Sequence, residues 1–170
     1  MAEGRVHGRR DGGGPGMRRL LGLCALLVSL AAQGAEGPYD EGADAKAQIR
    51  QALAAATATG TPVIVVFGAN WCGDCRMLDK AMKEGTSAPL IAREFSVVKV
   101  DVGKFDRNLD VAGTYGVPLK KGIPAVVVLS AKNEVLHATR GGELADARKM
   151  GENGVYDYFK GIAAGIKPRS

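Results

Sequence analysis

The hydrophobic residues form short runs, separated by segments in which they recur at helical spacing. Residues 63–67 and 125–129 are continuous apolar runs, and residues 96–101 are a further predicted strand. The two continuous runs are rich in β-branched side chains, which is typical of strands buried on both faces of a sheet. Residues 134–139 alternate between apolar and polar, which predicts an edge strand in a hairpin with 125–129.

Helical spacing predicts the elements between these strands. Residues 116–122 are a predicted loop, and no internal repeat is visible. The predicted helices cover residues 40–59, 72–84, 106–115, 143–150 and 155–162, with a short helical turn at 88–95. With 170 residues, 46% of them hydrophobic, the chain is long enough for one domain with a substantial core.

Two cysteines lie where the first buried strand gives way to a helix. Cys72 falls in the first turn of that helix and Cys75 one turn further on. Free backbone N–H groups at a helix N-terminus favour a thiolate, so Cys72 is the expected nucleophile and Cys75 the thiol that resolves a mixed disulfide. Two other roles stay open, a static disulfide staple and half of a metal site, although a zinc site would have only His137 as a further ligand.

The N-terminal 34 residues are typical of a targeting segment rather than of a folded domain. Residues 1–16 are rich in Gly and Arg, which predicts a disordered extension upstream of a start at Met17. Residues 17–34 have the charged, apolar and small-residue regions of a cleavable signal peptide, with processing before Ala35. We therefore expect a periplasmic or secreted protein, or alternatively an uncleaved membrane anchor. Residues 35–60 form a predicted linker and helix, and 61–165 the main domain.

Export changes the cysteine count and the charge. Cys24 would leave with the signal, so the mature chain would keep only the pair at 72 and 75. The net charge is +5, but the first 35 residues hold five arginines and two acids, which leaves +2 for the rest. No basic patch interleaved with aromatic residues is present, so we expect no nucleic-acid partner.

Four motifs in order resemble the thioredoxin superfamily over about residues 61–163. They are Val-Val-Phe-Gly-Ala-Asn-Trp-Cys-Gly-Asp-Cys at 65–75, Val-Lys-Val-Asp at 98–101, Tyr-Gly-Val at 115–117 and Gly-Ile-Pro-Ala at 122–125. The resemblance implies an α/β fold with a central four-stranded mixed sheet flanked by helices. It also implies that Pro124 is cis and packs against the dithiol, that Ile123 and Ala125 border a peptide groove, and that Trp71 shapes the substrate surface.

The sequence departs from that family at three places. Val66 stands where thioredoxins carry a buried Asp, so Lys99, Asp74 or water would have to take the proton of Cys75. Gly73-Asp74 replaces Gly-Pro; the Asp74 charge would raise the pKa of Cys72, whereas Arg76 would lower it. The loop between Tyr115 and Pro124 is longer than in thioredoxin.

The functional prediction is an exported thiol–disulfide oxidoreductase that reduces protein disulfides. It needs no cofactor or metal beyond its own redox-active disulfide. The expected partners are disulfide-containing proteins and a membrane thiol reductase as electron donor, and we expect a monomer. The alternatives are a disulfide-donating oxidase or isomerase, a domain whose disulfide never turns over, and a module that holds Cu(I) on its two sulfurs.

Overall fold

The computed structural model describes residues 37–166. The predictions for residues 1–16 and 17–34 lie outside this range. In chain order the elements are α1 (Ala45–Thr59), β1 (Val63–Gly68), α2 (Gly73–Lys83), α3 (Ser87–Glu94), β2 (Ser96–Asp101), α4 (Leu109–Thr114), a 3₁₀ turn (Leu119–Lys121), β3 (Ala125–Leu129), β4 (Val135–Ala138) and α5 (Ala147–Ile166). No helix among these residues is both long and apolar enough to cross a membrane.

The four strands form one mixed sheet in the order β2-β1-β3-β4. β1 pairs with β2 in parallel and with β3 antiparallel, and β3 pairs antiparallel with the edge strand β4. Every residue of β1 and of β3 is buried, as their continuous apolar sequences predict. Helix α1 packs on β1 and β2, while α2, α3 and α5 pack on one another. The predicted four-stranded mixed α/β sheet flanked by helices is confirmed.

Two predicted helix starts are wrong, and in each case a polar residue directly before the observed start accounts for the difference. Helix α1 begins at Ala45 rather than at residue 40, because the Asp44 carboxylate caps it by accepting a hydrogen bond from the Ala47 N–H at 3.0 Å. Helix α4 begins at Leu109 rather than at 106. Asn108 adopts a left-handed conformation with φ of 52°, and its side-chain amide donates to the Asp101 carbonyl at 2.7 Å. Polar groups near a helix start therefore shortened both elements.

The C-terminal helices also differ from the prediction. Residues 143–146 form turns instead of a helix, because the Glu143 carboxylate accepts hydrogen bonds from the N–H groups of Arg140 and Gly141. The helical residues then run from Ala147 to Ile166, with a non-helical break at Gly151, where φ is 65° and ψ is −176°. The predicted interruption between the helices at 143–150 and 155–162 is thus present, but it involves only Gly151.

Candidate active site

The turn between β1 and α2 positions Cys72 at the start of a helix. Cys72 is the N-cap of α2, and its N–H donates to the Ala69 carbonyl at 3.1 Å. Its Sγ accepts a hydrogen bond from the Cys75 N–H at 3.2 Å. A backbone N–H and the positive end of the helix dipole at this position favour negative charge on the sulfur, which is the reactive form of a thiol.

Cys72 and Cys75 form a disulfide, with their Cα atoms 5.2 Å apart. The two sulfurs differ in access, since Cys72 is 6% exposed and Cys75 is completely buried. A large disulfide substrate can reach only the first sulfur without rearrangement. This asymmetry suits a mechanism in which one thiol attacks from the surface and the other resolves from within.

The loop before β3 lies directly against the disulfide. The Ile123–Pro124 peptide bond is cis, and the Ile123 carbonyl oxygen lies 3.6 Å from Cys72 Sγ. Ala125 opens β3 and pairs with Phe67 of β1. The side chains of Ile123 and Ala125 are buried, so the backbone of this segment, rather than its side chains, lies at the disulfide.

Two aromatic side chains form an exposed surface beside the dithiol. Trp71 is 54% exposed, and its indole N–H donates to the Gly103 carbonyl at 2.8 Å. Phe105 is 41% exposed and meets the Trp71 ring edge-on, with ring centres 6.1 Å apart. The sequence motifs predict a role for Trp71 but not for Phe105, whose only signal is that of an aromatic residue within a polar turn.

The charged neighbours of the dithiol are paired with other groups. Asp74 accepts a hydrogen bond from the Arg148 N–H at 2.9 Å and lies 3.1 Å from the Arg148 guanidinium. Burial acts to raise the pKa of Asp74, but these hydrogen bonds and the positive charge outweigh it, so the pKa is lowered. Arg76 donates to the Asn70 carbonyl at 3.1 Å. Arg148 is a site residue that local sequence could not indicate, because it lies 74 positions from Asp74.

Lys99 and Val66 are opposite each other in the β1–β2 register. The Lys99 ammonium contacts the carboxylate of Asp79, which lies one turn beyond Cys75 on α2. Burial lowers the pKa of Lys99. Lys99 is therefore already occupied by a carboxylate on the neighbouring helix.

The possible metal-ligating side chains of residues 37–166 do not gather into one cluster. No group of three or more His, Cys, Asp or Glu side chains in this range could hold a metal ion. His137 Nε2 lies 3.0 Å from the Tyr158 hydroxyl, and burial lowers the pKa of the imidazole. His137 is thus engaged between β4 and α5.

Comparisons with known proteins agree with this geometry. A family model described as thioredoxin-like matches residues 44–131. Thioredoxin of Bacillus subtilis is 35% identical over 79 residues, which cover 46% of this chain and 67% of that protein. Thioredoxin of Pseudomonas aeruginosa is 32% identical over 88 residues, covering 51% of this chain and 71% of that protein.

A crystal structure of a disulphide isomerase from Xylella fastidiosa Temecula1 is also similar. It superposes with a TM-score of 0.73 at 53% identity, covering 75% of this chain and 98% of that one. The fold and the Cys72–Cys75 pair thus define a thiol–disulfide oxidoreductase. The chain belongs to the thioredoxin-like family.

Proposed function

We propose that this protein reduces disulfide bonds in protein substrates. The Cys72 thiolate attacks one substrate sulfur, a mixed disulfide forms, and the other substrate sulfur leaves as a thiolate and is protonated. Cys75 then attacks Cys72 Sγ. The bond from Cys72 to substrate breaks, the Cys72–Cys75 disulfide forms, and the second substrate sulfur takes up a proton.

The ion pair between Asp74 and Arg148 is the observation that supports reduction, rather than oxidation, of the substrate. A strong oxidant of this class has a reduced form in which the thiolate is strongly stabilised. Here the guanidinium beside Gly73 is bound to the Asp74 carboxylate, so its charge is largely cancelled at Cys72. The backbone N–H of Cys75 then remains as the main stabilising group.

The backbone beside Pro124 and the aromatic pair suit an extended protein segment as substrate. The Ile123 carbonyl lies next to the attacking sulfur, where it can accept a hydrogen bond from a substrate N–H. Trp71 and Phe105 add exposed apolar area at the same end of the sheet. Both features favour an unfolded or loosely folded polypeptide over a small thiol.

An insulin-reduction assay tests the proposal. With dithiothreitol as electron source, the wild-type chain should accelerate insulin reduction and Cys72→Ser should abolish the acceleration. The matched variant Cys75→Ser should instead accumulate a mixed disulfide at Cys72. Equal rates for wild type and Cys72→Ser would rule out the reaction.

Disulfide isomerisation is a second candidate, favoured by the name of the similar Xylella fastidiosa protein. An isomerase needs only Cys72 for many of its cycles, since substrate thiols can resolve the mixed disulfide. Refolding of scrambled ribonuclease by Cys75→Ser separates the two functions. Retained refolding activity would favour the isomerase, and its loss would favour the reductase.

We also infer that the protein works outside the cytosol. The proposal rests on the signal-like residues 17–34 and on a single close cysteine pair. A reductant there must receive electrons, for which a membrane thiol reductase is the expected donor, and we expect a monomer. N-terminal sequencing of the exported chain should begin at Ala35, whereas a start at Met1 or Met17 would contradict cleavage.

A further inference from the structure

The segment before α1 is fastened to the active-site turn by Asn70. The Tyr39 N–H donates to Asn70 Oδ1 at 3.0 Å, and Asn70 Nδ2 donates back to the Tyr39 carbonyl at 2.8 Å. The same amide nitrogen donates to the Glu41 carboxylate at 3.1 Å. Asn70 lies two residues before Cys72, so this segment and the dithiol are held together by one side chain.

The Tyr39 side chain runs from this clamp into the interior beside the disulfide. Tyr39 is only 1% exposed. A Cβ built on Gly68 would lie 2.3 Å from the Tyr39 hydroxyl oxygen and 3.0 Å from Cys75 Sγ. The hydroxyl and the buried sulfur are therefore neighbours across the space that a side chain at position 68 would fill. A glycine is required there for space.

This hydroxyl remains a proton donor throughout the working pH range. Burial, and next the negative charge of Asp101, raise the pKa of Tyr39 well above its ordinary value. Asp101 is the register partner of Gly68 and is 4% exposed. The hydroxyl therefore carries its proton when Cys75 becomes charged.

The attack of Cys75 on the mixed disulfide would be favoured by a hydrogen-bond donor near its sulfur. Cys75 must become a thiolate in a fully buried position, where loss of water disfavours the charge. Val66, which lies on β1 with Gly68, is apolar and cannot donate a hydrogen bond. The Lys99 ammonium is bound to Asp79. The thiolate that attacks Cys72 is thus left with the Tyr39 hydroxyl as a nearby polar group.

We propose that the Tyr39 hydroxyl donates a hydrogen bond to the Cys75 sulfur and so stabilises the resolving thiolate. In the mixed disulfide, Cys75 loses its proton, which passes through water to the departing substrate sulfur. The Cys75 electron pair forms the bond to Cys72 Sγ as the bond between Cys72 and substrate breaks. Tyr39 keeps its own proton throughout. The inference rests on the reducing reaction proposed above.

A Tyr39→Phe variant tests it in the full mature chain. The reduced protein is mixed with a peptide disulfide, quenched in acid, and the mixed disulfide on Cys72 is quantified by mass spectrometry over time. Formation should match wild type, whereas decay should be about tenfold slower, the effect of losing one hydrogen bond to a charged group. The pH at which decay reaches half its maximal rate should rise by about one unit.

Tyr158→Phe is the matched control, because it removes a hydroxyl that contacts His137 instead of the dithiol. It should leave both rates unchanged. Decay of the Tyr39→Phe mixed disulfide at the wild-type rate and pH would overturn the inference, and so would failure of this variant to fold, since the hydroxyl would then be structural. A wild-type protein that forms no mixed disulfide would instead refute the proposed function itself.

Discussion

At the residue scale, the charge balance around Cys72 depends on two side chains from distant parts of the chain. Asp74 follows the nucleophile by two positions, and Arg148 is the second residue of α5. The guanidinium nitrogen Nη1 would lie 3.3 Å from a Cβ built on Gly73. The pair places opposite charges next to Gly73, the residue that follows the nucleophile, so each charge offsets the effect of the other.

Separating the pair should shift the pKa of Cys72 in opposite directions. Asp74→Asn leaves the guanidinium unopposed and should lower that pKa by about half a unit, whereas Arg148→Gln should raise it by a similar amount. The thiolate absorbance of the reduced protein, followed against pH in a Cys75→Ser background, measures both. The double variant should return close to the starting value.

Shifts in the same direction, or none, would show that Asp74 and Arg148 do not act on the sulfur as a charge pair. The change of sign between the two variants is the decisive feature, because a general loss of structure would not produce it.

At the scale of elements, the sequence predicted those helices and strands whose pattern lies within their own residues. The continuous apolar run of β1, the helical spacing of α2 and the Gly-Ile-Pro-Ala motif before β3 are such patterns, and each element lies where it was predicted. The predicted starts of α1 and α4 were wrong, because the Asp44 cap sets the first start and the left-handed backbone of Asn108 precedes the second. A hydrophobic pattern does not indicate such local features.

The break in α5 gives a stability prediction. Gly151 has a backbone conformation that is essentially restricted to glycine, and no atom lies within 4 Å of where its Cβ would be. Gly151→Ala should therefore destabilise the fold through backbone strain alone, by about 1–3 kcal/mol. Urea unfolding of the oxidised protein measures the change.

Gly161→Ala provides the control on the same helix. A Cβ there also meets no atom within 4 Å, but the backbone is helical, so the substitution should stabilise the fold by about 0.5–1 kcal/mol. Equal effects at the two positions would mean that Gly151 does not interrupt the helix in solution.

At the scale of the whole molecule, the site combines one segment that sequence reveals with others that it does not. Cys72, Cys75, Trp71 and Pro124 belong to recognisable motifs. Tyr39 and Arg148 reach the dithiol through contacts with residues far along the chain, and the segment containing Tyr39 was assigned to a linker. Such contacts depend on packing, which spacing and composition do not encode.

The surroundings of the whole site determine whether the dithiol reduces or oxidises its substrates. The potential of the couple reflects how much better the protein stabilises the reduced form than the disulfide. Here the Cys72 thiolate has a helix N-terminus and a charge-compensated neighbour, and Cys75 is buried. We expect these surroundings to stabilise the dithiol only moderately, which would agree with the reducing direction proposed above.

The reduction potential of the Cys72–Cys75 couple, measured by equilibration of the mature chain in defined thiol buffers, tests this account most directly. We predict a value near the roughly −270 mV of thioredoxin. A value near the roughly −120 mV of DsbA would contradict the account and identify the protein as a disulfide donor.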